Sequence, residues 1–310
     1  AQRANKRFVV IKGDANRFAE VKKAFATHRP AYVFHYAALV GVKRTVEEPL
    51  KVLADIEGIK HILALSRNYG VKKIVYASSS EIYGNNDAMP LHEEHSFYDV
   101  KMPYSMVKSA GENYFRTYWE AKGLPVTILR FFNVYGPRQG SSSYGFVTGI
   151  FISQVLQQQR PTIFYDGSHT RDFMCVADNV EASIQALVNR KADGYTINLG
   201  TGRETSILEL AHKIIALNGN GLAPSLMHKR KLSFEVQRRI ADVSRMKNLL
   251  GFAPRYSLDD GLRVTYAWYA ENPQYIRRGA PLTYKHYRTQ TWFPRKKKQL
   301  AHGNGGMAQP

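Results

Sequence analysis

Residues 73–84 read Lys73-Ile74-Val75-Tyr76-Ala77-Ser78-Ser79-Ser80-Glu81-Ile82-Tyr83-Gly84, and soon after comes Pro103-Tyr104-Ser105-Met106-Val107-Lys108. The first run is a short apolar strand, Lys73–Ala77, ending in consecutive hydroxyls. The second is Tyr-x-x-x-Lys at the start of a helix expected over residues 101–122. Positions i and i+4 of a helix share one face, so Tyr104 and Lys108 point together into whatever cleft lies at the strand end. An ammonium a few ångström from a phenol favours tyrosinate, so Lys108 is expected to lower the tyrosine from its usual ~10. Tyr104 then becomes a usable base near neutral pH, and Ser79 can hydrogen-bond the same substrate oxygen. In a chain with 19 tyrosines the spacing also arises by chance. The strand, the serines and Tyr83-Gly84 around it give it weight.

Strand and helix alternate on both sides of this pair. Phe8–Ile11 is a short apolar run followed by Lys12-Gly13-Asp14, and residues 16–27 have helical spacing. Ala31–Phe34 reads as a buried strand ending at His35-Tyr36-Ala37-Ala38. A long helix is expected from about Val46 to Tyr69, and a strand over Pro125–Phe131 follows the 101–122 helix. This order implies right-handed crossovers and a doubly wound parallel sheet covered on both faces. The second half is mixed: helices at 146–158, 178–190, 206–217, 244–250 and 259–270, with strands at Thr162–Tyr165, Phe173–Val176 and Tyr195–Leu199. It reads as a smaller α/β lobe closing over the carboxyl edge of the sheet, where ligands of open α/β sheets bind.

Composition narrows the class. With 310 residues, 44% of them hydrophobic, the chain is globular rather than disordered. The single cysteine, Cys175, excludes an intramolecular disulfide framework, fits a reducing compartment and reads as a small core residue. No apolar run is long enough to span a membrane and no secretory signal opens the chain, so a cytoplasmic protein is expected. The formal net charge is +19, and the eight Lys/Arg after Glu271 face no acid. The basic extension 276–310, with Arg295-Lys296-Lys297-Lys298, reads as flexible. It is a solvated tail or a subunit contact in one reading and a nucleic-acid-binding segment in the other.

With these residues in hand, the chain resembles the NAD-dependent nucleotide-sugar epimerase/dehydratase family of extended short-chain dehydrogenase/reductases. The resemblance covers residues 7–270. It rests on Gly13-Asp14, His35–Ala38, Ser78–Gly84, Tyr104/Lys108, Arg130-Phe-Phe-Asn133-Val-Tyr-Gly-Pro137-Arg138 and Asp166–Phe173. Asn198-Leu-Gly200-Thr-Gly202 and Ala241–Gly251 complete the set in family order. The resemblance implies a Rossmann-like domain over 1–135, a mainly substrate-binding lobe over 136–275 with some segments returning to the sheet, and the tail. That family opens with a glycine-rich β-α-β unit that holds the cofactor pyrophosphate at a helix N-terminus. Here the sequence starts where the third strand is expected, so the first β-α-β unit is absent. Either the chain is a piece of a longer protein or it binds cofactor poorly; the first is favoured because a sheet without those strands exposes an apolar edge. The residue that chooses NAD over NADP belongs to that unit, so both stay open.

Roles follow from the resemblance. Tyr104 is the base, Lys108 lowers its pKa and holds the nicotinamide ribose, and Ser79 supports the substrate O4. Asp14 meets the adenine, Tyr36, Ala37 and Ala38 line the cofactor, and Phe131 or Phe132 flanks nicotinamide. Asn133 meets a diphosphate or sugar oxygen and Arg171 pairs with a phosphate. The plain alternatives are a turn at Asp14, core packing at Phe131 and Phe132, a loop hydrogen bond at Asn133 and a surface ion pair at Arg171. Two departures matter. Asp55 stands in the middle of the long helix where the family has asparagine. The usual Arg-Pro-Gly phosphate clamp is replaced near Lys231, unless Lys231, Arg238 or Arg239 supplies the charge. No metal site is expected.

All such enzymes oxidise C4 of a nucleotide-bound sugar. A 4-epimerase returns the hydride to the other face; a 4,6-dehydratase or uronate decarboxylase carries a glutamate at the position of Glu81. Ser80 stands where one dehydratase class has an aspartic acid. The reading taken is an NAD-dependent nucleotide-sugar 4-epimerase, with dehydratase or UDP-glucuronate decarboxylase chemistry through Glu81 as its alternative. A non-catalytic scaffold with a nucleic-acid-binding tail is a third. A homodimer paired through helices 46–69 and 101–122 is expected.

Overall fold

Short β-branched and aromatic runs make the strands, and apolar residues at helical spacing make the helices between them. The computed structural model describes residues 8–41, 45, 47–95, 102–140, 146–219, 221–227 and 236–276. In chain order these form α1 (Phe18–His28), β1 (Tyr32–His35), α2 (Pro49–Leu53), α3 (Asp55–Asn68), β2 (Lys73–Ser79), α4 (Pro103–Lys122), β3 (Val126–Phe131) and β4 (Asn133–Tyr135). There follow α5 (Val147–Leu156), β5 (Thr162–Phe164), β6 (Thr170–Arg171), β7 (Phe173–Cys175), α6 (Val176–Val188), β8 (Thr196–Leu199), β9 (Thr205–Ser206), α7 (Ile207–Asn218), β10 (Ser225–Met227), α8 (Ser244–Leu250) and α9 (Leu258–Glu271).

The central sheet has the order β1-β2-β3-β8, parallel throughout. Every residue of β2 is buried, which is why its sequence is a continuous apolar run rather than an alternation. One face packs Ile62, Leu63, Ile74, Tyr76, Phe115 and Ile128 against α3 and α4. The other packs Val75, Leu129, Ala182, Ala186, Ile197 and Met246 under α6 and α8. The doubly wound, Rossmann-like arrangement expected from the alternation is therefore present. A further cluster, with Phe151, Ile152, Ile163, Leu210, Ile214, Leu262 and Tyr269, gathers α5, α7 and α9. The β4–β7, β5–β10 and β6–β9 pairs complete the second half. Among the described residues no helix is long and apolar enough to cross a membrane.

Two expectations change. Phe8–Ile11 forms no strand and is exposed; it has no strand beside it to complete its ladder among the described residues. The single long helix over 46–69 is broken at Ala54, where Glu57 N reaches back to Ala54 O in a tight i,i+3 bond. The break frees the Asp55 side chain to face the neighbouring loops. Among the described residues β1 is paired on one side only, and Tyr32 and Phe34 are exposed along it. Lys231 and residues 277–310 lie outside the described residues.

Candidate active site

Parallel register puts Ser79 of β2 beside Phe131 of β3 at the carboxyl edge of the sheet. The Ser79 hydroxyl accepts the Glu81 amide at 3.2 Å and so starts the tight turn 80–83. Across the edge lies α4, opened by Pro103, whose fixed φ suits a first helical turn. Gly111 lets α4 lie directly on β2: a Cβ there would stand 2.1 Å from Tyr76 Oη.

Tyr104 and Lys108 share the inner face of α4, as their spacing requires. The Tyr104 phenol lies beside the Ser79 side chain; burial raises its pKa, Ser79 lowers it, and the charges of Glu81 and Asp55 raise it. The net shift is upward. Lys108 is buried; its Nζ donates to the Ala77 carbonyl at 2.6 Å and lies 5.6 Å from the Tyr104 ring centroid. Burial lowers Lys108 to about 8, against the pull of Asp55 and Glu112. The lowering of Tyr104 by Lys108 expected from the spacing is therefore not found: burial dominates, and the Lys108 ammonium points at a backbone carbonyl.

Glu81, 39% exposed at the side chain, pairs with Arg239, which is 2% exposed. Burial raises the Glu81 carboxyl, but the Arg239 charge and hydrogen bond, with the more distant Arg171, bring it below the usual carboxylate range. Arg239 Nε and Nη2 have no partner among the described residues. Arg238, the other candidate for a replaced clamp, is committed to Glu204 through bonds of 2.8 Å.

The cofactor candidates lie along the same edge. Tyr36 follows β1 and meets Phe131 edge to face at 5.4 Å. Phe132 is buried beside Tyr83, which leaves Phe131 as the ring facing the edge. Ala37 and Ala38 run from Tyr36 to Leu39, whose amide is held by Asp55 at 2.6 Å. Asp14 accepts the Asn16 amide at 2.9 Å in a turn ahead of α1. Of the substrate candidates, the Asn133 amide donates to the Asp172 carbonyl at 3.0 Å, and Arg171 Nη1 donates to the Thr170 carbonyl at 2.7 Å.

Two buried groups were not singled out from sequence. Asp172 accepts Thr201 N at 2.8 Å, Thr201 Oγ1 at 2.7 Å and Gly202 N at 2.9 Å, and so ties the loop after β8 to the segment that carries Arg171. Glu112 pairs with Arg130 beneath Ser78. The signal for Glu112 was its place eight residues after Tyr104, on the same helical face.

A family model described as GDP-mannose 4,6 dehydratase matches residues 1–265. A putative UDP-glucose 4-epimerase of Methanocaldococcus jannaschii is 36% identical over 243 residues, 77% of this chain and 77% of that protein. A UDP-N-acetyl-alpha-D-glucosaminuronate decarboxylase of Bacillus cytotoxicus is 34% identical over 248 residues, 77% of this chain and 76% of that protein. The crystal structure of the Thermus thermophilus UDP-glucose 4-epimerase complex with NAD matches with a TM-score of 0.78 at 29% identity, over 86% of this chain and 86% of that one. The chain belongs to the GDP-mannose 4,6-dehydratase family of extended short-chain dehydrogenase/reductases.

Proposed function

We propose that the protein is an NAD-dependent nucleotide-sugar 4-epimerase working as a cytoplasmic homodimer. The observation that carries this reading is the placing of Tyr104 beside Ser79 at the end of β2, with the Lys108 ammonium buried one helical turn behind it. Tyr104 takes the proton of the C4 hydroxyl and later returns it, while Ser79 holds that oxygen in place. The exposed edge of Tyr36 and Phe131 beside this pair fits a flat aromatic ring, and Asp14 with Ala37 and Ala38 would hold the rest of the dinucleotide. When bound, NAD supplies the acceptor for the C4 hydride and donates it back. Arg171 and Asn133 would orient the diphosphate of the substrate.

Glu81 separates the alternatives. Held ionised by Arg239, it could take the C5 proton of a keto sugar, but Ser80 stands where one dehydratase class has a separate acid for the C6 hydroxyl and is a poor acid at neutral pH, so the dehydratase reading is disfavoured. Decarboxylation is the second reading, favoured by one observation: the buried Arg239 has Nε and Nη2 unpaired beside the site, donors suited to a sugar carboxylate. Incubation with NAD and UDP-glucose, UDP-N-acetylglucosamine or UDP-glucuronate, followed by proton NMR, tests both. A C4 epimer of any of the three supports the proposal. A pentose product with loss of CO2 supports the second reading, and no turnover of any substrate overturns both.

A further inference from the structure

Asp55 opens α3, and its carboxylate oxygens face two different segments. Oδ2 accepts the Leu39 amide at 2.6 Å and Oδ1 accepts Asn16 Nδ2 at 3.2 Å. The Asn16 amide has a fixed sense, because its own Oδ1 takes the Gly58 amide at 3.1 Å and its NH2 must then point at Asp55. Both neighbours of Asp55 are therefore donors. A carboxylate satisfies both, whereas an asparagine would turn an NH2 against one of them. His61 Nδ1, 3.1 Å from the Ala15 carbonyl, docks the same segment on α3.

Lys108 is the other neighbour that matters. The groups facing it are Asp55 from α3, Glu112 from its own helix, His35 from β1, Tyr76 from β2 with its ring centroid 5.1 Å from Nζ, and Tyr104. Two of these are acids. Glu112 is bound in two-pronged fashion to Arg130, so much of its charge is already answered. Asp55 bonds only neutral donors in the contacts given above, and its charge is left for the buried ammonium.

We propose that Asp55 is a positioning residue with two tasks: it clamps segments 14–16 and 36–39 to α3, and it is the counter-charge that keeps Lys108 protonated. The inference rests on the reading of Lys108 as the partner of Tyr104, and it explains why an acid stands where the resembled family has a neutral amide. Oriented this way, one side chain links the two loops assigned to the cofactor with the lysine assigned to the chemistry.

The test uses the whole chain and needs no turnover. Lysines carrying 13C at Cε are titrated by NMR, with the Lys108 signal identified by its loss in Lys108→Arg, and amide exchange is followed at residues 13–17 and 36–40. Native Lys108 should lose its proton near pH 8. In Asp55→Asn that midpoint should fall by about half a pH unit or more, and both segments should exchange about tenfold faster. Asp55→Glu should keep the midpoint while loosening the segments. Asn16→Ala should loosen only 13–17 and leave Lys108 in place. A midpoint that stays fixed in Asp55→Asn, or exchange that does not rise, overturns the proposal. A chain that turns over no nucleotide sugar would sink the proposed function and leave these readings standing.

Discussion

Glu112 and Arg130 meet in a two-pronged ion pair with almost no access to solvent: Nε reaches Oε1 at 2.9 Å and Nη2 reaches Oε2 at 2.8 Å. Arg130 Nη1 also donates to Tyr83 Oη and to the Glu93 carbonyl, both at 2.9 Å, and Ser78 donates to Glu112. The pair therefore joins α4, β3 and the turn that carries Glu81. Glu112→Gln leaves a buried guanidinium short of its counter-charge and should cost about 3–5 kcal/mol, read as a lower urea midpoint at unchanged slope. Adding Arg130→Met should recover a large part of the loss; a double variant no more stable than the single one would mean that the pair does not act as a unit.

Tyr104→Phe keeps the ring, which packs against the first core cluster, and removes the hydroxyl beside Ser79. Turnover should fall by about 10²–10⁴-fold with little change in stability. Initial rates on whichever UDP-sugar is accepted measure this, and a variant that keeps more than a tenth of the activity would remove Tyr104 from the role of base.

His35 lies beside the stacked Tyr76 and Phe115 rings, and burial, with the charge of Lys108, lowers it from 6.5 to about 4. Between those values the unfolded chain binds a proton that the folded chain does not. The stability from a neutral His35 is whole above pH 6.5, shrinks by up to about 3 kcal/mol as the pH falls toward 4, and shrinks no further below that. His35→Phe should flatten this stretch of the denaturation profile; an unchanged slope would show that other groups produce it.

Gly111→Ala places a methyl 2.1 Å from Tyr76 Oη and should cost about 1–3 kcal/mol while lifting α4 off the sheet. Because that hydroxyl is buried without a partner among the described residues, Tyr76→Phe alone should be neutral or stabilising, but it should not rescue Gly111→Ala, whose methyl would still stand 2.5 Å from the ring carbon Cζ. Thermal midpoints of the four proteins decide the matter.

Leu50 and Leu53 on α2 and Met106 and Tyr114 on α4 are large apolar side chains open to solvent, and α2 lies against α4. A dimer built on these helices should be split by Met106→Glu with Leu53→Glu, seen as a halved mass in sedimentation. A native chain already monomeric at micromolar concentration would dismiss the homodimer.

The sheet, the helices around it and the Tyr104/Lys108 pair were legible because each depends on local spacing: a continuous apolar run for β2, one helical face for the pair. What the spacing could not show was who sits opposite. Arg239 as partner of Glu81 is 158 residues away in the chain, and only the folded lobe brings them together. The same holds for Asn198, which accepts Tyr83 Oη at 2.7 Å. The break at Ala54 was not legible because the apolar stripe of the long helix runs through it unbroken. Phe8–Ile11 looked like a strand by composition, yet a strand exists only beside another.

Ser79, Tyr104 and Lys108 stand on long, buried elements cross-braced by Glu112 and Arg130, whereas Arg171 and Asn133 sit on strands of two and three residues. On the proposed reading, the groups that would recognise the sugar nucleotide sit on short segments and those that would oxidise it sit on the braced core, so substrate preference can be altered in this chain without disturbing the elements that hold Tyr104 and Lys108. Relatives named for epimerisation and for decarboxylation are at near-equal similarity to this chain.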